Sequence, residues 1–140
     1  MKRILLLAIA CLVVAAALAP TFAAENVTID GVVFNLPNGY VEDSSQQSIN
    51  VSGTQGSLEY KMSGKVFENG KNAVSIIVED FGDYEIGDDV ISQVGDAKTI
   101  NNVSGYINDV SGAHVFTCLK DGKVAIISAT DENDIAKFLG

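Results

Sequence analysis

Read for its apolar and polar positions, the chain changes character near residue 24. Before that point stands one apolar run, Ile4 to Ala19; after it come short alternating stretches broken by Gly, Asn and Asp. Val27-Thr28-Ile29, Asp30-Gly31 and Val32-Val33-Phe34 predict a hairpin, because Asp-Gly between two β-prone runs signals a two-residue turn. Leu36-Pro37-Asn38-Gly39-Tyr40 predicts a turn out of it, since Pro37 has no N–H to give to a ladder. The polar stretch Glu42 to Ser48 reads as a loop, followed by a weak strand over Ile49 to Ser52 and a long one over Ser57 to Glu68. Asn69-Gly70 predicts the turn into the clearest strand, Ala73 to Phe81. There Val74, Ile76 and Val78 line one face, while Ser75, Ile77 and Glu79 line the other.

The period then changes. Asp88 is placed to cap a short helix, acids in its first turn suit the helix dipole, and Gly95 is placed to stop it. Four more strands are expected, Lys98 to Ile100, Val103 to Asn108, His114 to Leu119 and Val124 to Thr130. Asn101-Asn102, Ser111-Gly112 and Asp121-Gly122 supply the turns between them. A closing helix starts from Asp131 as N-cap and carries Ile135, Phe138 and Leu139 on one face. The fold class these elements predict is α+β, an antiparallel β-sheet with a short central helix and a C-terminal helix packed on it.

The opening residues read as a secretion signal over 1–23. Lys2 and Arg3 form the basic start, the 16 residues from Ile4 to Ala19 the apolar core, and Thr21 and Ala23 the small positions before a cut. Such a run is shorter than the roughly 20 residues of a membrane-spanning helix. Membrane attachment is therefore expected only if this segment is retained as an anchor. Cys11 lacks the surroundings of a lipoprotein cysteine and would be discarded with the signal. Residues 24–140 read as a single domain, close to the usual domain size.

Cleavage deepens the charge. All 18 acidic residues lie from Glu25 onward, while losing Lys2 and Arg3 reduces the 9 basic residues to 7, so the mature charge is −11. Such a surface repels nucleic acid and anionic lipid. Cys118 alone survives maturation, so no internal disulfide can form.

Catalytic chemistry finds little footing. His114 and Cys118 share one face of a predicted strand but stand roughly 13 Å apart along it, too far for a nucleophile and its base. Zinc would need more nitrogen and sulfur ligands than exist here. The densest acidic stretch offers Asp80, Asp83, Glu85 and Asp88 as oxygen ligands for calcium, although Gly82 and Tyr84 break the helix-loop-helix calcium spacing. A carboxylate-based extracellular hydrolase is a further possibility, because acids are plentiful. Asn26-Val27-Thr28, Asn50-Val51-Ser52 and Asn102-Val103-Ser104 have the form of N-glycosylation acceptors. No phosphate-binding glycine loop occurs, and no cofactor is expected.

The segments "FNLPNGY", "VSIIVEDF", "KTINNVSGYI" and "HVFTCLKDGKVAIIS" resemble small secreted proteins of methanogenic archaea, a likeness that implies an archaeal cell surface but no activity. The "LPNGY" stretch and the order of sheet then terminal helix look like the PsbP and Mog1 sandwich fold. Together the readings lead us to expect an exported, non-enzymatic module whose partner is an extracellular protein or a wall polymer. An exposed aromatic patch involving Tyr40, Tyr84 or Phe81 is the expected mark of such a module.

Overall fold

A computed structural model describes residues 25–139 of the chain. The leader expected at residues 1–23, with Cys11, lies outside the described residues. Among the described residues ten strands form two sheets. β1 (Glu25–Ile29) and β2 (Val32–Leu36) make a separate antiparallel hairpin, with Asp30 and Gly31 both at positive φ in its turn. The main sheet comprises β3 (Val41–Glu42), β4 (Ser48–Gln55), β5 (Leu58–Asn69), β6 (Asn72–Asp80), β7 (Asp96–Ile100), β8 (Val103–Val110), β9 (Ala113–Lys120) and β10 (Lys123–Ala129). Its order is β3-β5-β6-β10-β9-β8-β7, with β4 also on β5. Every pairing is antiparallel.

Two meanders therefore meet at β6 and β10. The chain leaves β6 and crosses to the far edge. It then returns strand by strand until β10 closes against β6. The crossover carries α1 (Asp88–Ile91) and a 3₁₀ turn (Ser92–Val94); the chain ends in α2 (Glu132–Leu139).

Register decides the core. Val74 stands opposite Phe67 and Ala129, Ile127 opposite Ile76 and Phe116, and Ala125 opposite Val78 and Cys118. Because side chains alternate, these residues share one face of the sheet. Val27, Ile29, Val32 and Phe34 of the hairpin, with Ile135, Phe138 and Leu139 of α2, cover that face. Phe138 packs edge-on to Tyr40 at 5.1 Å and tilts against Phe67 at 5.3 Å. Lys123 fastens the hairpin turn to the sheet: its Nζ donates to the Asp30 carbonyl at 2.6 Å and lies 3.8 Å from the Asp80 carboxylate. Among the described residues these elements bury a core between themselves.

The opposite face is covered only in part. Ile86, Ile91 and Val124 form a second cluster there with Leu58, Phe81, Tyr106, Leu119 and Ile126. The crossover sits over this half, tied down where Tyr106 Oη donates to Asp88 at 2.6 Å.

Several expectations change. The fold is mainly β, because the predicted central helix is a single four-residue turn running into 3₁₀. Gly87, not Asp88, occupies its N-cap, and Asp88 is the first helical residue. Gly95 is extended rather than left-handed. It is needed because a Cβ there would collide with the Ile107 carbonyl. The weak strand grows to eight residues, since β5 pairs with it at Ser48 and again from Val51 to Gln55, past an irregularity at Ile49 and Asn50. Between β5 and β6 the turn is Gly70-Lys71, one place later than expected, with Asn69 paired to Asn72. Asp131 caps α2 as predicted, accepting from the Asn133 N–H at 2.9 Å.

Candidate functional site

A groove of about 970 Å³ opens at one corner of the main sheet. Its origin is a mismatch of strand lengths. The pairing of β5 with β6 begins only at Lys61 and Asp80, yet β5 starts at Leu58 and its hairpin with β4 reaches Gln55 and Leu58. The β4–β5 hairpin therefore overhangs the end of β6. Beside the overhang the chain turns sharply through Phe81–Tyr84, held by the Gly82 N–H donating to Asp80 Oδ1 at 2.9 Å and the Tyr84 N–H to the Phe81 carbonyl at 3.2 Å.

Three aromatic residues, Tyr60, Phe81 and Tyr84, line this groove. Tyr60 and Phe81 lie side by side with ring centroids 5.1 Å apart and planes tilted by 39°. Tyr60 owes its position to Gly53, its direct partner on β4. A Cβ at 53 would fall 2.7 Å from the tyrosine ring, so only glycine lets the ring lie across β4. Such an aromatic laid over a cross-strand glycine shields backbone that a side chain would otherwise cover. Tyr84 is 51 % exposed and free to meet a ligand. Glu59, Asp80 and Asp83 oppose Lys61 in the lining, and Ser52, Thr54 and Ser57 add hydroxyls. Its size lies within the usual range of ligand pockets. The arrangement offers stacking area, hydrogen-bond partners and charged side chains.

The residues singled out from sequence are dispersed. Phe81 and Tyr84 come together in the groove, whereas Tyr40 is only 3 % exposed and packs in the core against Phe138, contrary to the expected patch. A buried site with aromatic neighbours explains that: Leu36 to Tyr40 turns inward over α2. Burial first, and the nearby Asp134 carboxylate second, push Tyr40 ionisation well above the ordinary phenol value. Of the four acids proposed for calcium, Asp80 caps the loop, Asp88 accepts from Tyr106, and Asp83 and Glu85 are exposed. Among the described residues no three His, Cys, Asp or Glu side chains are grouped to hold a metal ion.

Glu79 is half-buried and its carboxyl is raised by desolvation, but it does not line the groove. His114 Nδ1 lies 2.7 Å from Asp109 Oδ1, and Cys118 is fully buried, its thiol pushed up by burial from 9.0 to about 11. Asn26, Asn50 and Asn102 are all exposed. Asn50 sits at the irregularity between Ser48 and Val51, at φ 50°, and Asn102 in the β7–β8 turn at φ 65°.

Sequence reasoning missed Tyr60 and Gly53. The signal was faint: Tyr60 alternates with Leu58 and Met62 on one strand face, but nothing local shows that Gly53 stands across from it. No helix among the described residues is long and apolar enough to cross a membrane. Comparison with protein-family models, with curated proteins and with solved structures finds no match for the chain.

Proposed function

We propose that residues 24–140 form an exported, non-enzymatic binding domain working at the cell surface, and that the corner groove holds its ligand. One observation carries the reading: Tyr60, Phe81 and Tyr84 are gathered beside carboxylates and hydroxyls in a groove of about 970 Å³. Exposed aromatic surface costs solubility and gains nothing in a free monomer, so a gathered set rimmed by polar groups marks a contact surface. Tyrosine suits the purpose, since it supplies a large, stiff apolar face with a polar tip. Export rests on the basic, apolar and small-residue pattern of residues 1–23, and the three exposed sequons agree with a cell-surface location.

The test is a thermal melt of residues 24–140 with a panel of wall polymers, soluble sugars and peptides. A ligand at 100 times its Kd stabilises a native protein by about 2.7 kcal/mol, enough to shift a melt by several degrees. The expected result is a shift with one class, abolished by Tyr84→Ala. A shift that Tyr84→Ala leaves intact would place the ligand elsewhere.

A further inference from the structure

The two edges of the main sheet are built differently. β7, at one edge, is five residues long and carries Asp96 and Lys98, with Lys98 held 2.7 Å from Glu132. Charge and shortness are the usual means of keeping an edge from pairing with other chains. β4, at the other, has neither. Among the described residues it pairs only with β5 and runs for eight residues, Ser48-Ile49-Asn50-Val51-Ser52-Gly53-Thr54-Gln55, without a charge or a proline. Ile49 is 62 % and Val51 46 % exposed on it.

This bare edge also forms a wall of the groove, through Ser52, Gly53 and Thr54. We propose, resting on the groove as the binding site, that the partner is an extended basic peptide segment. It pairs along β4 as an added strand and lays a Lys or Arg side chain against Tyr60, Phe81 and Tyr84. Strand addition takes its affinity from main-chain hydrogen bonds and its specificity from pockets for alternate side chains. The geometry supplies both. An added strand lies about 4.8 Å beyond β4, and the Tyr60 ring already reaches over Gly53 toward that side. A lysine or arginine side chain spans the remaining gap.

Charge selects the side chain. The turn after β6 places Asp83 beside the rings, in a chain with 18 acidic and 9 basic residues, whereas Glu59, Lys61 and Asp80 alternate onto the other face of β5 and β6. A cation set over tyrosine and phenylalanine rings is attracted by the ring faces, and the attraction grows as water is excluded. An anionic or neutral strand gains none of this.

The experiment uses an acetylated, amidated eight-residue peptide alternating Lys and Val, followed by tyrosine fluorescence of residues 24–140, which contain no Trp. Two further peptides carry N-methyl groups on either the Lys or the Val amides, keeping every charge. An added strand directs alternate N–H groups at its neighbour, so the two methylated peptides should differ in affinity by more than about tenfold. Asp83→Asn and Tyr84→Ala, both at exposed positions, should each weaken the parent peptide by about tenfold. Equal binding of the two methylated peptides, or binding as tight by free lysine amide, would overturn strand addition. A neutral polymer that binds through Tyr84 while the peptide does not would overturn this inference and leave the groove standing as the site. Binding by neither would remove both readings.

Discussion

Cys118 and Tyr40 are two titratable groups that the fold takes out of solvent. The Cys118 thiol is raised to about 11 by burial, and a group whose folded value lies above its unfolded one stabilises the fold only below the unfolded value. Its contribution is therefore complete below pH 9 and lost as pH rises toward 11, a change of roughly 2 to 3 kcal/mol. Chemical denaturation of Cys118→Ala between pH 8 and 11 should show a shallower decline than the parent, after an initial cost from the lost sulfur. A thiol reagent at pH 8 should label Cys118 only after unfolding.

Tyr40 follows the same sign at higher pH. Its Oη and the neighbouring Asp134 Oδ2 are both buried, and among the described residues neither meets a partner in good hydrogen-bond geometry, although Asp134 raises the phenol. Removing a buried hydroxyl whose hydrogen bond is poorly formed costs little. Tyr40→Phe should leave stability within about 1 kcal/mol of the parent at pH 7 and soften the alkaline loss above pH 10. A large loss in urea denaturation at pH 7 would mean that the hydroxyl is held by its surroundings.

Among the elements, α2 depends on its inner face more than on its ends. Phe138 is fully buried and touches both Tyr40 and Phe67, so Phe138→Ala should cost about 3–5 kcal/mol. The Lys98–Glu132 pair is more than a third exposed on each side, and Lys98→Ala should cost no more than about 1 kcal/mol. The contrast, read in guanidinium, separates packing from surface charge as the force that docks the helix. Within the sheet, Gly105 is the tightest place. A Cβ there would meet the Thr117 carbonyl at 2.5 Å and the Phe116 ring at 2.6 Å. Gly105→Ala should lower stability by about 2 kcal/mol or more, because backbone on one side and a core ring on the other leave nothing to yield.

For the molecule as a whole, the excess of acid over base governs the response to ions. Self-repulsion at a formal charge of −9 weakens the compact state, and salt screens it over a Debye length of about 8 Å at physiological strength. The melting temperature should rise with sodium chloride between 0.02 and 0.3 M on this argument. Calcium chloride at matched ionic strength should give the same rise. An excess rise with calcium would show a specific site and revive the acidic loop from Asp80 to Asp88 as its home.

Local signals carried most of the elements. The hairpin turns were legible because positive φ at both central residues favours Asn, Asp or Gly, as in Asp30-Gly31, Asn101-Asn102 and Asp121-Gly122, with Ser111-Gly112 keeping the glycine. Strict alternation over Val74, Ile76 and Val78 marked the central strand, and Asp131 with Ile135, Phe138 and Leu139 marked the last helix. What failed were features without a local cause. β4 looked weak because Asn50, Ser52 and Gly53 have little strand preference, yet pairing with β5 extends it to Gln55. The central helix looked real because Asp88 and Asp89 suit a first turn, but the crossover allows only one turn before Gly95 must meet β8. Tyr40 looked like surface beside Pro37 and Asn38, and it lies in the core.

The amino-acid order thus specifies turns, strand faces and charge by itself, because each depends on neighbours one to four places away. The groove does not belong to that class. It exists because β5 outruns β6, because Gly53 stands opposite Tyr60, and because the turn after Asp80 carries Phe81 and Tyr84 to the same corner. Those are meetings of residues up to about thirty places apart, set by strand order and register, and only the folded sheet brings them together.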